Sequence, residues 1–228
     1  MSKFVYPSVE LIDPPDYLDV LYAVQNAARF STGTQDSFDS VIENIPVFEH
    51  FISARLEQGH YSILRHAHIS FCFTCSRRVS HELVRHHVGI DFVQESTRWC
   101  NYSKNRFSNE LTFVMPPNVK TEKLAQAFKD QADAIENIYM HVVKEGMGPD
   151  IAGYFLNNML KTSVVATANI EALRSLILKR SGPDVLPEFR YLATALSYIL
   201  TKEYPVFFKD INEMCDYEPI FATESVEL

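Results

Sequence analysis

Between Ala67 and Cys75 the chain reads AHISFCFTC, in which Ala67, Ile69, Phe71, Phe73 and Cys75 alternate with His68, Ser70, Cys72 and Thr74. Side chains on a strand point to opposite faces in turn, so this period of two predicts a β-strand with one apolar and one polar face. The flanking sequence follows a helical rhythm instead. Leu18, Leu21, Tyr22 and Val24 predict a helix over 17–29, broken by STGT at 31–34. From Asp36 to Leu56 apolar residues recur at three and four, with Pro46 a kink or restart between two helical pieces, and GHYS then turns the chain. Beyond the strand, Ser80 is expected to cap a short helix through His86, with Glu82 near its positive end and a loop at Gly89. A second short strand is expected at Thr112 to Met115. Thr121 should cap a long helix burying Leu124, Phe128, Ile135, Ile138 and Val142, ended by Gly146, Gly148 and Pro149. Three more helices are expected over 150–164, 170–180 and 187–203, the last opened by Pro187 and stopped before Pro205. Strands in the middle with helices on either side predict an α+β fold, a central and mainly antiparallel sheet wrapped by helices. No repeat and no Pro-, Gly- or Ser-rich linker divides the chain, so residues 1–228 are expected to form a single domain.

Composition removes several classes of function. Sixteen Phe, 11 Tyr and a hydrophobic fraction of 46% supply a core and argue against disorder. A net charge of −8 gives no long-range attraction to a nucleic acid polymer or an anionic membrane, although a local basic pocket is allowed. No apolar run reaches the roughly 18 residues of a membrane helix, and the N-terminal segment lacks the apolar core of a signal peptide, so a cytoplasmic location is expected. Four cysteines are too few and too scattered to frame the fold and are expected to be reduced. CFTC at 72–75 lies within the alternating strand and reads as core rather than as a redox or zinc pair. No glycine-rich phosphate loop of either common pattern occurs.

The titratable groups are concentrated. Six of the eight histidines, His60, His66, His68, His81, His86 and His87, fall between positions 60 and 87 and are interleaved with Arg65, Arg77, Arg78 and Arg85. A cationic stretch in an acidic chain suits an anionic ligand. His66 and His68, placed on one strand face, could coat a wet surface or form half of a metal site; without a third ligand at metal spacing, no metal site is expected. The segment RHHVGIDFVQESTRWCNYSKNRF, 85–107, holds the parts of a pocket for a planar phosphorylated ligand. Arg85 and Arg98 are forked donors, Ser96 offers a hydroxyl, and Phe92 and Trp99 are flat apolar surfaces.

Arg85, His86 and His87, then eight residues from Val88 to Glu95, then Ser96 resemble the signature of flavin-dependent thymidylate synthases, an Arg-His-Arg followed by seven or eight residues and Ser. AARFS at 27–31, GHYSILRH at 59–66, LKTSVVATAN at 160–169, Arg180 and Glu188 to Arg190 resemble further motifs of that family in the same order. The resemblance implies a helix-wrapped sheet assembled as a homotetramer with shared active sites. It also implies FAD as cofactor, NADPH and methylenetetrahydrofolate as cosubstrates, and C5-methylation of dUMP. Reduced flavin then fills the role a thiolate plays in other thymidylate synthases, so no cysteine nucleophile is required. By residue, Ser31, His60, Ser62, Arg85, His86 and Asn169 match FAD-contacting positions, and Glu82, Arg85, Ser96, Arg98 and Arg180 match positions that hold the pyrimidine nucleotide. Ser96 and Arg180 are the implied catalytic residues. Arg180 would stabilise charge developing on the uracil carbonyls; the alternative is an Arg that merely favours the carbonyl end of its own helix.

The chain departs from that family pattern at several places. His87 stands for an Arg, Arg65 for a Glu, Gly153 for a phosphate-binding Arg, Glu171 for a frequent Arg, and Asp184 for a common His; Asn157 and Asn158 follow in place of a more apolar run. Arg65 is the candidate to offset Gly153. The competing readings are a flavin enzyme acting on UMP or dCMP, a hydroxymethylating enzyme, a noncatalytic nucleotide- or flavin-binding paralogue and, last, a zinc hydrolase.

Overall fold

The computed structural model describes residues 2–31, 33 and 45–215. Its centre is an antiparallel four-stranded sheet in the order β2 (Ser8–Ile12), β3 (His68–Ser76), β6 (Lys161–Asn169), β4 (Ile90–Gln94). A parallel pair, β1 (Lys3–Val5) with β5 (Thr112–Val114), stands beside it. The α+β architecture follows the sequence expectation. On β3, Ile69, Phe71, Phe73 and Cys75 are all fully buried. Opposite them in register lie Ala168, Ala166, Val164 and Thr162 of β6. Small residues on the central strand leave room for the two phenyl rings, whose centroids lie 5.0 Å apart.

Helices cover that apolar face. α1 (Tyr17–Phe30), α3 (Arg77–Leu83), α6 (Ile170–Arg180), α7 (Pro187–Glu203) and α8 (Pro205–Asn212) contribute Leu21, Val24, Val79, Leu173, Ile177, Phe189, Leu196 and Phe207 to one cluster. α2 (Ile45–Glu57) adds Ile52, and Pro46 lies in its first turn as a restart; the expected helical piece before Ile45 lies outside the described residues. A second cluster forms around α4 (Glu122–Lys144), with Phe4, Tyr102, Phe113, Ala132, Ile135 and Tyr139. Thr121 caps α4 as expected, and the expected buried face is met in part. Ile135 is buried and Phe128 and Val142 pack on the cluster as expected, but Leu124 and Ile138 are exposed, and Ala125, Ala132 and Tyr139 are buried in their place.

Other expectations are corrected. The helix foreseen over 150–164 is only α5 (Pro149–Ala152) and a 3₁₀ turn at Gly153–Phe155, after which the central strand β6 begins. Ser80 is no cap. The cap of α3 is Ser76, the last residue of β3, whose side chain accepts from Val79 N, while Ser80 is buried within the helix and accepts from Gln94 Nε2 at 2.9 Å. His66 ends a 3₁₀ turn (Tyr61–His66) and only His68 belongs to β3, so the two imidazoles do not share a strand face.

Candidate functional site

Arg180 closes α6, and its guanidinium is held on three sides. Nε donates to His86 Nε2 at 2.8 Å, Nη1 donates to Glu82 Oε2 at 3.1 Å, and the Phe189 ring lies beneath it at 4.8 Å. Glu82 sits in the last turn of α3, and His86 in the turn that follows, where its N–H reaches Leu83 O. Two distant segments thus meet on one cation. Burial first, then the positive charges of Arg180 and Lys179, push the His86 imidazole down to about 4. It is neutral near pH 7, accepts at Nε2, and carries its proton on Nδ1.

The start of α3 is fixed from α7. The Glu188 carboxylate, 4% exposed, accepts from Ser76 N and from Ser76 Oγ, each at 2.7 Å. Burial raises the Glu188 carboxyl against those two hydrogen bonds, which lower it. Phe189, the next residue, supports both Arg180 and the edge-on ring of His86. Phe189 lies within the Glu188–Arg190 motif, but its role is not legible there, since nothing local marks a first-turn aromatic as the floor beneath an arginine from another helix.

The cofactor-matching residues lie on separate elements, and the 3₁₀ turn after His60 packs on both α1 and α6. α1 packs on the 3₁₀ turn that follows His60 and holds Ser62, and both of these side chains are exposed. Ser31 lies at the C-terminus of α1, where its hydroxyl donates to Ala28 O at 2.6 Å. Asn169 caps α6, its Oδ1 accepting from Ala172 N at 2.9 Å, and its own N–H donates to Gly89 O at 3.1 Å. Gly89 has φ +76, and a Cβ there would lie 2.5 Å from Asn169 Nδ2. The segment from Arg85 to Gly89 therefore joins the Arg180 end of α6 to its Asn169 end, with Arg85 exposed alongside.

Ser96 and Arg98 lie past the opposite end of β4, roughly 13 Å of strand from Ile90. Ser96 Oγ accepts from Arg98 N at 3.3 Å within a tight turn, and the Arg98 guanidinium extends over the exposed Trp99 ring at 5.8 Å. Among the described residues no hydrogen bond or ion pair joins this turn to Arg180, His86 or Glu82. Phe92 is partly buried and packs against the main core. Gly153 lies beside the turn, its Cβ position 3.7 Å from Thr97 O.

Two of the departures meet each other. Arg65 in the 3₁₀ turn and Glu171 in α6 form a two-pronged ion pair. A separate cleft of about 210 Å³ is lined by Lys3, Glu95, Tyr102, Arg106, Phe107 and Lys161 among others, and holds none of the expected site residues.

Comparison with known proteins follows the same lines. Residues 16–206 match the family described as thymidylate synthase complementing protein. A flavin-dependent thymidylate synthase of Geobacter sulfurreducens is 29% identical over 167 residues, 72% of this chain and 70% of that protein. One from Thermococcus onnurineus is 33% identical over 140 residues, 60% of this chain and 56% of that protein, so the match spans little more than half the length of some relatives. Among solved structures, a UMP/dUMP methylase from Streptomyces cacaoi bound with 5-Br dUMP superposes with a TM-score of 0.73 at 20% identity, covering 92% of this chain and 97% of that one.

Proposed function

The chain belongs to the thymidylate synthase complementing protein family, and from that premise we propose that it methylates dUMP at C5 to give dTMP, using FAD, with methylenetetrahydrofolate as one-carbon donor and NADPH as reductant. The observation that carries the reading is the fixed guanidinium of Arg180. For C5 of a uracil to act as a nucleophile, negative charge must build on the ring carbonyls, and a cation already in place stabilises that charge without reorganising as the reaction proceeds. Glu82, His86 and Phe189 hold Arg180 in one geometry while its remaining N–H groups stay partly exposed. A neutral His86 serves this better than a charged one, because imidazolium would neither accept from Nε nor tolerate the adjacent cation.

The side chains also fit a flavin dinucleotide. His60, Ser62 and Arg85 are exposed donors suited to a diphosphate, and Asn169 keeps its amide N–H₂ after Oδ1 is used for capping. With Ser31 and His86 they would hold FAD, which supplies the reducing equivalents for making a methyl group. Cys72 and Cys75 are poor nucleophiles, since burial pushes both thiols up.

Ser96 and Arg98, set apart from Arg180 in one chain, support a homotetramer in which neighbouring copies complete each nucleotide site. Exposed Trp99, Val93, Val88 and Tyr154 offer apolar surface for such contacts. Gly153, where the resemblance leads one to expect an Arg, favours a second reading in which UMP or dCMP is the better substrate. The deciding experiment incubates the protein with FAD, NADPH, methylenetetrahydrofolate and a panel of dUMP, UMP and dCMP, and follows product mass. A dUMP product heavier by one CH₂ supports the first reading, and the same gain on UMP or dCMP alone supports the second. A hydroxymethyl product, or flavin binding without turnover, overturns both.

A further inference from the structure

The 3₁₀ turn Tyr61–His66 is tied to α6 at three points. Ile170 N donates to Ala67 O at 3.2 Å, just past the turn. The Arg174 guanidinium stands over the Tyr61 ring at 5.8 Å and is itself held by Asp210, through bonds of 2.8 and 2.6 Å, and by Phe207 O. The third tie is Arg65 to Glu171, in which Nε and Nη2 each engage one carboxylate oxygen, the latter at 3.2 Å. The first is a backbone bond and the second runs from the buried Arg174 to the exposed Tyr61 ring, whereas the third joins two side chains that both reach solvent, as His60 and Ser62 do. Glu171 is fixed on its own helix, since a carboxylate in a first turn is favoured by the positive helix end. The 3₁₀ turn, whose internal hydrogen bonds have poorer geometry, is the element that gains from an outside tie.

We propose that the Arg65–Glu171 pair is a positioning device for the cofactor. It sets the placement of His60 and Ser62, on one segment, against Asn169, two residues before Glu171 on the other. The inference rests on the FAD reading. It makes Arg65 a residue acting through its neighbours rather than a ligand, because its guanidinium is already committed to a carboxylate.

Charge exchange tests this on the full-length protein, with FAD affinity followed by flavin fluorescence and the melting temperature of the flavin-free protein recorded in parallel. Arg65→Glu and Glu171→Arg each put like charges face to face, and each should weaken FAD binding about tenfold. The double exchange should return affinity to within about threefold of wild type, as expected for a coupled pair, and the flavin-free melting temperature should change little in all three, as for an exposed pair. Wild-type affinity in both single variants overturns the proposal. So does a double variant as weak as the singles, which would make Arg65 a direct ligand. Failure of the wild-type protein itself to bind FAD shows before any substitution, and overturns the functional reading and this inference together.

Discussion

Arg180 donates from Nε to His86 Nε2 at 2.8 Å, a contact between residues 94 positions apart that joins the end of α6 to the turn after α3. Each partner fixes the state of the other. The imidazole must keep its lone pair on Nε2 to accept, so its proton resides on Nδ1, and the guanidinium is thereby held over Phe189 with Glu82 on its other edge. Neither role can be filled by a protonated histidine.

The imidazole of His86 should therefore stay neutral far below the usual histidine range, titrating near 4 rather than 6.5. A depressed folded-state value means that the unfolded chain takes up the proton first. This contribution to stability is complete above about pH 6.5 and is lost as pH falls from there towards 4. Histidine NMR across this range measures it directly. Arg180→Ala should raise the value only part of the way to 6.5, because burial is the larger cause; a full return to 6.5 would assign the effect to charge alone.

Separate kinetic roles are expected for Arg180 and Arg98. Arg180→Ala should lower kcat about 100-fold or more, the scale of losing one preorganised transition-state donor, with flavin content preserved. Arg98→Ala should chiefly raise the nucleotide KM, since its exposed guanidinium stands with Ser96 on a turn suited to phosphate oxygens. Wild-type kcat in Arg180→Ala on the best nucleotide found would remove the catalytic role.

The parts of this molecule legible in the sequence are those carried by strong local periods. β3 was evident because Ile69, Phe71 and Phe73 are large and alternate, and α6 and α7 because of their apolar spacing and Pro187. β6 was obscured because its buried residues are Thr162, Val164, Ala166 and Ala168, too small to stand out against a helical background. The short strands β1, β2 and β4 show no clear period, whereas the equally short β5 is marked by its apolar run and by Pro116 and Pro117 after it. Site residues were legible through motif order, but their partners were not. Arg65 and Glu171 read as two unrelated departures until the fold placed them together across 106 residues. Ser76, not Ser80, caps α3 because Glu188 from α7 selects that start, and a tertiary contact of this kind has no local signature.

Gly89→Ala should damage stability and cofactor binding together. At φ +76 an L-residue carries a strain of about 1–2 kcal/mol, and the new methyl would lie 2.5 Å from Asn169 Nδ2. Moving Asn169 also weakens its cap on Ala172 N, worth about 1 kcal/mol. The expected loss is about 2–3 kcal/mol, or roughly 5–10 °C in melting temperature for a chain of this size. Gly146→Ala is the control, because its φ is +89 with open space around it and only the backbone strain remains. Equal losses in the two variants would mean that contact with Asn169 contributes nothing.

Gly153→Arg tests whether the missing forked donor matters. The position has an ordinary helical φ of −59 as the C-cap of α5. The nearest atom to a Cβ there is Thr97 O at 3.7 Å, an ordinary contact, so a side chain can be added without moving the backbone. The added guanidinium would start beside the 96–99 turn, where Ser96 and Arg98 present their donors. A charge-assisted hydrogen bond is worth about 1.5–3 kcal/mol before solvent screening, and on this exposed turn about a tenfold fall in nucleotide KM is expected. Because the phosphate takes no part in the chemical step, kcat should change little. A fall in KM for dUMP, UMP and dCMP alike would place the phosphate at this turn. An unchanged KM in a variant that melts like wild type would place it elsewhere, and Ser96 and Arg98 would lose their assignment as phosphate donors.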